Sequence, residues 1–132
     1  MTLAYWCVLV AVILPYVGFG IARNRGRGPD NKRLRDNQNP RDFPNRIDGL
    51  AKRAWDAHLN AFESLPSFAA AVIIANLVHA SPKQIDILAL IWVLARIAHM
   101  AFYLSDKDKL RTSANAVSFA CVLGLFVVAG LN

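Results

Sequence analysis

The sequence predicts an all-α integral membrane protein, a bundle of four transmembrane helices. Three observations carry that expectation. Hydrophobic residues make up 55% of the 132 residues and mean hydropathy is +0.32, whereas an ordinary soluble domain holds roughly 45–50% apolar residues. Charged residues make up only 18%, against roughly 25% in soluble domains. The apolar residues also gather into long runs, as crossing a hydrocarbon core of about 30 Å requires. The length allows one domain, residues 1–132, and the apolar content excludes intrinsic disorder. Cys7 and Cys121 lie in apolar runs near opposite ends of the chain, with no CxxC or Cys/His cluster. Neither a disulfide scaffold nor a metal site is expected.

The first span, residues 2–22, carries no charged side chain. Pro15, Gly18 and Gly20 are admissible there because neighbouring helices can satisfy freed backbone groups in a membrane. A cleaved signal peptide would want a basic n-region, which the residues before Tyr5 do not supply, so the span is expected to be retained. Residues 23–49 are of opposite character, basic and rich in Gly, Pro and Asn. Arg23 through Arg53 holds ten Lys/Arg against four Asp, a surplus equal to the whole net charge of +6. A basic loop beside a span is the usual orientation signal, and a nucleic-acid patch is not expected.

The second span, residues 50–79, is apolar in its latter half but opens with Lys52, Arg53, Asp56, His58, Asn60 and Glu63. The third, residues 85–104, is apolar apart from Asp86, Arg96 and His99. The fourth, residues 113–131, contains the small pair Ala120 and Gly124, spaced for close helix approach. Four spans place both termini on one side. The first and third loops then share the other side with thirteen basic residues, against Lys83 alone in the second turn. The positive-inside rule makes the long basic loop cytoplasmic and the termini periplasmic or equivalent, in a multi-pass protein of a membrane such as the bacterial inner membrane.

Charged and polar residues inside spans are costly and mark interior or functional positions. At 100° per residue, Arg53, Asp56, Asn60 and Glu63 fit an arc of roughly 80°, with His58 on the opposite side. Arg96, His99 and Tyr103 form a stripe on the third span, shared by Trp92 and Asp106. Arg111, Asn115 and Ser118 lie within about 60° of one another on the fourth. Three stripes near the same ends of three helices predict one polar cavity. Glu63 and Arg96 are candidates for a buried ion pair between helices two and three. Tyr103 has an interfacial alternative, and His79 is expected to be interfacial. Arginines with a carboxylate and an amide suit a ligand bearing carboxylates, an amine and peptide groups, such as glutathione or, nearly as well, a lipid headgroup. No Ser–His–Asp set, phosphate loop or metal cluster is present.

Three segments together resemble the MAPEG family, the membrane-associated proteins in eicosanoid and glutathione metabolism. RAWDAHLNAFESLPSF, residues 53–68, is similar to the family's second-helix pattern A-[HQ]-x-N-x-x-E with a following proline. LARIAHMAFYL, residues 94–104, is similar to its third-helix R-x-x-[HY]-x-x-x-Y pattern, and Leu110–Thr112 to the basic opening of helix four. QNPRD in the long loop is similar to a loop motif of some members. The resemblance implies a homotrimer in the lipid bilayer, with glutathione as co-substrate at each subunit interface. By position it implies that Asn60, Glu63, His99 and Tyr103 bind the tripeptide. Arg111 would stabilise its thiolate, Thr112 would donate to sulfur, and Arg23 would add an anion contact. Arg53 and Arg96 would be flanking arginines of structural role. The implied activity is a glutathione-dependent transferase or peroxidase acting on lipophilic electrophiles. This chain departs from the pattern at Ser64, where some members carry a tyrosine, and at Asp56 and Leu59, where members carry arginines; the latter pair, with an ordinary apolar exterior, motivates an alternative. In it the chain is a non-catalytic membrane protein that binds lipid or serves as an accessory subunit of a larger assembly.

Overall fold

The computed structural model describes residues 1–34 and 37–131; Arg35 and Asp36 of the basic loop, and Asn132 at the end of the expected domain, lie outside the described residues. Among the described residues there are four α-helices: α1 Leu3–Arg25, α2 Gly49–Leu77, α3 Pro82–Leu104 and α4 Asp108–Gly130. Each is long and apolar enough to cross a membrane, so the fold is an all-helical, multi-pass membrane bundle. Outward-facing Ile13, Leu94, Phe119 and Val127 are exposed and give the apolar exterior that contacts lipid.

Apolar surface gains little by leaving lipid for another helix, so close packing of small residues has to join the bundle. Ala4, Ala11 and Ala22 of α1 and Ala54, Ala57 and Ala61 of α2 are buried for this reason. Gly18 marks the tightest approach, where a Cβ would lie 3.1 Å from the Ala54 carbonyl oxygen and 3.2 Å from His58 Cβ. His58 fills the same seam, its Nδ1 2.9 Å from the Pro15 carbonyl oxygen. A carbonyl only accepts, so Nδ1 carries the proton. On α4, Gly124 packs at contact distance against Leu88 of α3, whereas Ala120 is exposed. The small pair therefore contributes one member to this seam.

The two short connections are built alike. After α2, His79 adopts a left-handed φ of 58°, and the amides of His79 and Ala80 donate to the carbonyls of Asn76 and Ala75. After α3, Asp106 has φ of 60°, and the amides of Asp106 and Lys107 donate to Tyr103 and Phe102. Both are the paired closing bonds of a Schellman turn. At the opposite end of α1 an interhelical cap appears: the Ala4 amide donates to Asp86 Oδ1 of α3 at 2.8 Å. The charge near the start of the third span thus satisfies an orphan amide of the first helix turn.

Helix α1 runs three residues past its apolar run, to Arg25, and the basic loop then folds back over the bundle. A 3₁₀ turn over Pro40–Asn45 carries Phe43, which is 4% exposed and meets the Trp55 ring edge-on at 5.5 Å. Gly26 permits this, because a Cβ there would come within 2.9 Å of the Phe43 ring.

Candidate functional site

Arg96 organises the polar interior. It is only 1% exposed, and a buried guanidinium is tolerable only when hydrogen-bonded. Its Nη2 donates to Asn60 Oδ1 at 2.6 Å and to the Asn60 carbonyl at 3.2 Å, while Nη1 donates to Asn115 Oδ1 at 2.9 Å. One side chain of α3 therefore ties α2 to α4. The level is set by helix geometry: Arg96 and Asn115 lie eight and seven residues, roughly 10–12 Å, inside the loop-side ends of α3 and α4, and Asn60 lies eleven residues, roughly 16 Å, inside the start of the longer α2. A guanidinium has only donors, so it fixes both amides with oxygen towards Arg96 and nitrogen away from it. No ion pair within 4 Å joins Glu63 to Arg96 among the described residues. Two uncharged amides hold the arginine where a carboxylate was the expected candidate.

Asn60 and Asn115 line a pocket of about 260 Å³, with Glu63, Ser64 and Ser67 of α2, Trp92 of α3, and Ser118, Phe119 and Val122 of α4. Its apolar wall is rigid, since Trp92 stacks face to face on Phe68 with centroids 3.8 Å apart and planes 2° from parallel. The hydroxyls of Ser64, Ser67 and Ser118 donate to the carbonyls of Ala61, Ser64 and Asn115 at 3.0, 3.1 and 2.8 Å. Their protons are committed, so they offer the pocket lone pairs. The Glu63 carboxylate is exposed on the open side.

One to two turns nearer the loop end stands a second group. His99 is 3% exposed, and its ring meets Tyr103 edge-on at 5.6 Å. The Arg111 guanidinium lies over the face of Tyr103, 4.3 Å from its centroid, a cation–π contact that carries a fixed positive charge from α4 to the end of α3. Arg53 donates from Nε to the Leu104 carbonyl at 3.3 Å, capping the C-terminus of α3.

Asn60 and Glu63 thus share one pocket, and His99, Tyr103 and Arg111 form one adjoining cluster along α3. Two other candidates stand outside these two groups. Thr112 is exposed and its hydroxyl donates to the Asp108 carbonyl at 3.0 Å. Arg23 lies over Phe43 at 5.2 Å and Phe19 at 6.0 Å, against the α1–α2 seam. Asp56, one turn before Asn60, forms an i,i+4 ion pair with Lys52 at 2.9 Å. Asn115, absent from the candidate residues, is as central as Asn60. Its signal was the shared stripe with Arg111 and Ser118, which shows a face but not a partner. Among the described residues no group of three His, Cys, Asp or Glu is placed to hold a metal.

A family profile described as the MAPEG family matches residues 3–131, essentially the whole chain. No curated protein matches the chain significantly.

Proposed function

The chain belongs to the MAPEG family, and on that premise we propose that it is an integral-membrane, glutathione-dependent transferase or peroxidase acting on lipophilic electrophiles. The observation that carries the reading is the adjacency of a donor–acceptor pocket and a fixed cation. Asn60 and Asn115 turn amide N–H groups away from Arg96, a geometry suited to carbonyl or carboxylate oxygens. Glu63 and the serine lone pairs suit ammonium and amide N–H groups. This donor set fits a small peptide with both kinds of group. Arg111, held over Tyr103 and next to His99, supplies the positive charge that favours a thiolate over a thiol. Bound glutathione supplies sulfur, which in the transferase reaction forms a C–S bond as the leaving group departs with its electron pair. In the peroxidase reaction two thiols become a disulfide as a hydroperoxide becomes an alcohol and water. The protein's part is to orient the peptide and hold the sulfur charged at neutral pH. Arg23 and Thr112 are given no role in this group within the protomer.

The same reading includes the homotrimer, with the basic loop on the cytoplasmic side. Glu63 lies about 21 Å along α2 from its loop-side start at Gly49, about one turn deeper than Asn60. It is exposed there in the single protomer. A charge facing lipid near mid-bilayer costs roughly 2.5–3.5 kcal/mol on insertion scales. A neighbouring protomer and a bound ligand would remove that cost.

The test is ultraviolet difference absorption of the assembled protein titrated with glutathione. A saturable thiolate band at neutral pH is expected, and it should vanish in Arg111→Ala while the assembly persists. An undiminished band in the assembled variant would remove Arg111 from the mechanism. The Lys52–Asp56 ion pair favours a second reading, a non-catalytic lipid-binding or accessory protein, because it sets a carboxylate one turn from the peptide-binding amides. Absence of both the band and calorimetric binding would support that reading.

A further inference from the structure

The indole N–H of Trp92 has no partner in the fold. The side chain is 2% exposed, and a buried tryptophan N–H usually finds an acceptor. Among the described residues Trp92 makes no hydrogen bond; its ring stacks on Phe68. Nor is the nitrogen sealed in protein. The side-chain polar atoms fully buried without a partner among the described residues are Thr2 Oγ1 and Arg96 Nε. The indole nitrogen therefore borders open space, and the space that Trp92 lines is the pocket beside Asn60 and Asn115. The register of the bundle says what stands at the same level. Arg96 holds Asn60 Oδ1 at 2.6 Å and Asn115 Oδ1 at 2.9 Å, which aligns three helices. Trp92, Glu63 and Ser118 lie four, three and three residues deeper on α3, α2 and α4 than these tied residues. They share the next level, about one turn further from the loop. It carries a carboxylate, a Ser118 oxygen whose proton is bound to the Asn115 carbonyl, and one N–H donor.

We infer that Trp92 is a specificity-determining residue, its indole N–H donating to the α-carboxylate of the ligand's γ-glutamyl head while Glu63 accepts from the neighbouring α-ammonium. The inference rests on the glutathione reading and states which end of the peptide lies deepest. An α-amino acid head carries an ammonium and a carboxylate on one carbon, so it needs acceptors and a donor side by side. The level of Glu63, Trp92 and Ser118 supplies both. The glycyl end offers a carboxylate with no amine and would set a like charge against Glu63. Depth also favours a neutral donor. A second cation near mid-bilayer would carry its own insertion cost, whereas an indole N–H adds no charge and still makes a charge-assisted bond to a carboxylate. The peptide then runs from Trp92 towards Arg111, three residues inside the loop-side start of α4, where the sulfur is held. Trp92 meets no reacting atom, so its contribution is to affinity and not to thiolate formation.

Calorimetry on the assembled full chain tests the assignment with two peptides. One is glutathione; the other is γ-aminobutyryl-cysteinyl-glycine, which keeps the amine and lacks the α-carboxylate. The parent should bind glutathione about tenfold more tightly than the analogue, the factor for one hydrogen bond to a charged group. Trp92→Phe keeps a ring against Phe68 and removes the N–H. It should bind glutathione about tenfold more weakly than the parent and bind the two peptides alike. At saturating glutathione its thiolate band should persist, unlike that of Arg111→Ala. A parent that binds both peptides equally overturns the inference without any variant. So does an undiminished glutathione affinity in Trp92→Phe, or a loss of equal size for both peptides, which marks a packing role. The glycyl amide of glutathione provides a further check, since it should lose as much affinity as glutathione does on Trp92→Phe. If it escapes the loss, the glycyl carboxylate is the group at Trp92 and the assignment is overturned. A parent that binds neither peptide refutes the glutathione reading itself, and the inference with it.

Discussion

Asn60 has two separable jobs, and aspartate and alanine substitutions pull them apart. Its side-chain oxygen accepts the shortest of the three Arg96 bonds, at 2.6 Å. Asn60→Ala removes that bond but leaves the backbone carbonyl at 3.2 Å and Asn115 at 2.9 Å. Hydrogen bonds to charged groups contribute roughly 1.5–3 kcal/mol. Side-chain bonds measured within membrane bundles average about 0.6 and reach about 1.7 kcal/mol. Arg96 is buried and charged, so the upper membrane figure applies and a loss of about 1.5 kcal/mol is expected. Asn60→Asp keeps an acceptor in the same place and adds a charge opposite the guanidinium. Its stability should fall within about 0.5 kcal/mol of the parent, or above it, because coupling to the buried cation offsets desolvation of the new carboxylate. Aspartate has no N–H, however, and sets a second negative charge beside Glu63. Affinity for glutathione should therefore fall at least about tenfold, equivalent to about 1.4 kcal/mol. Equilibrium unfolding in bicelles titrated with dodecyl sulfate gives the stabilities, and calorimetry with glutathione gives the affinities. If Asn60→Asp proved as unstable as Asn60→Ala, the amide would not be the tie between α2 and α3. If it bound glutathione like the parent, the deduced amide orientation would be refuted.

Two further predictions concern the frame that holds this site. Gly18→Val should destabilise the α1–α2 seam by about 1–3 kcal/mol, since even a Cβ would crowd the backbone of Ala54 and His58; the same unfolding titration checks it, and a neutral result would place the close approach elsewhere. Asp86→Ala should cost about 1 kcal/mol, as loss of a cap does, and should speed hydrogen exchange at the Ala4 amide while leaving amides in the middle of α1 protected.

The helical membrane class is legible in the sequence because hydrocarbon imposes a length and a composition on every span. The polar stripes are legible for a related reason: helical geometry fixes the angle between side chains on one helix. That angle alone groups Asn60 with Glu63, and His99 with Tyr103. It also sets Arg53 on the same stripe as Asn60, yet Arg53 serves the end of α3. Asp86 reads as a charge near a span start, and it caps a helix turn eighty-two residues earlier in the chain.

Which side chain meets which is a matter of packing. Periodicity supplies azimuth along one helix but neither the axial register nor the rotation of one helix against another. A shift of one residue moves a side chain 1.5 Å along the axis and 100° around it, more than a hydrogen bond tolerates. On periodicity, Glu63 and Asn60 are therefore equal claimants for Arg96. The packed bundle assigns the arginine to Asn60 and Asn115, directs Thr112 to its own backbone, and sets Arg23 on the opposite seam. Composition and helical phase are enough to say that polar groups converge inside a membrane bundle. The partners follow from the small residues that set the distances between helices, because in lipid shape complementarity selects the register.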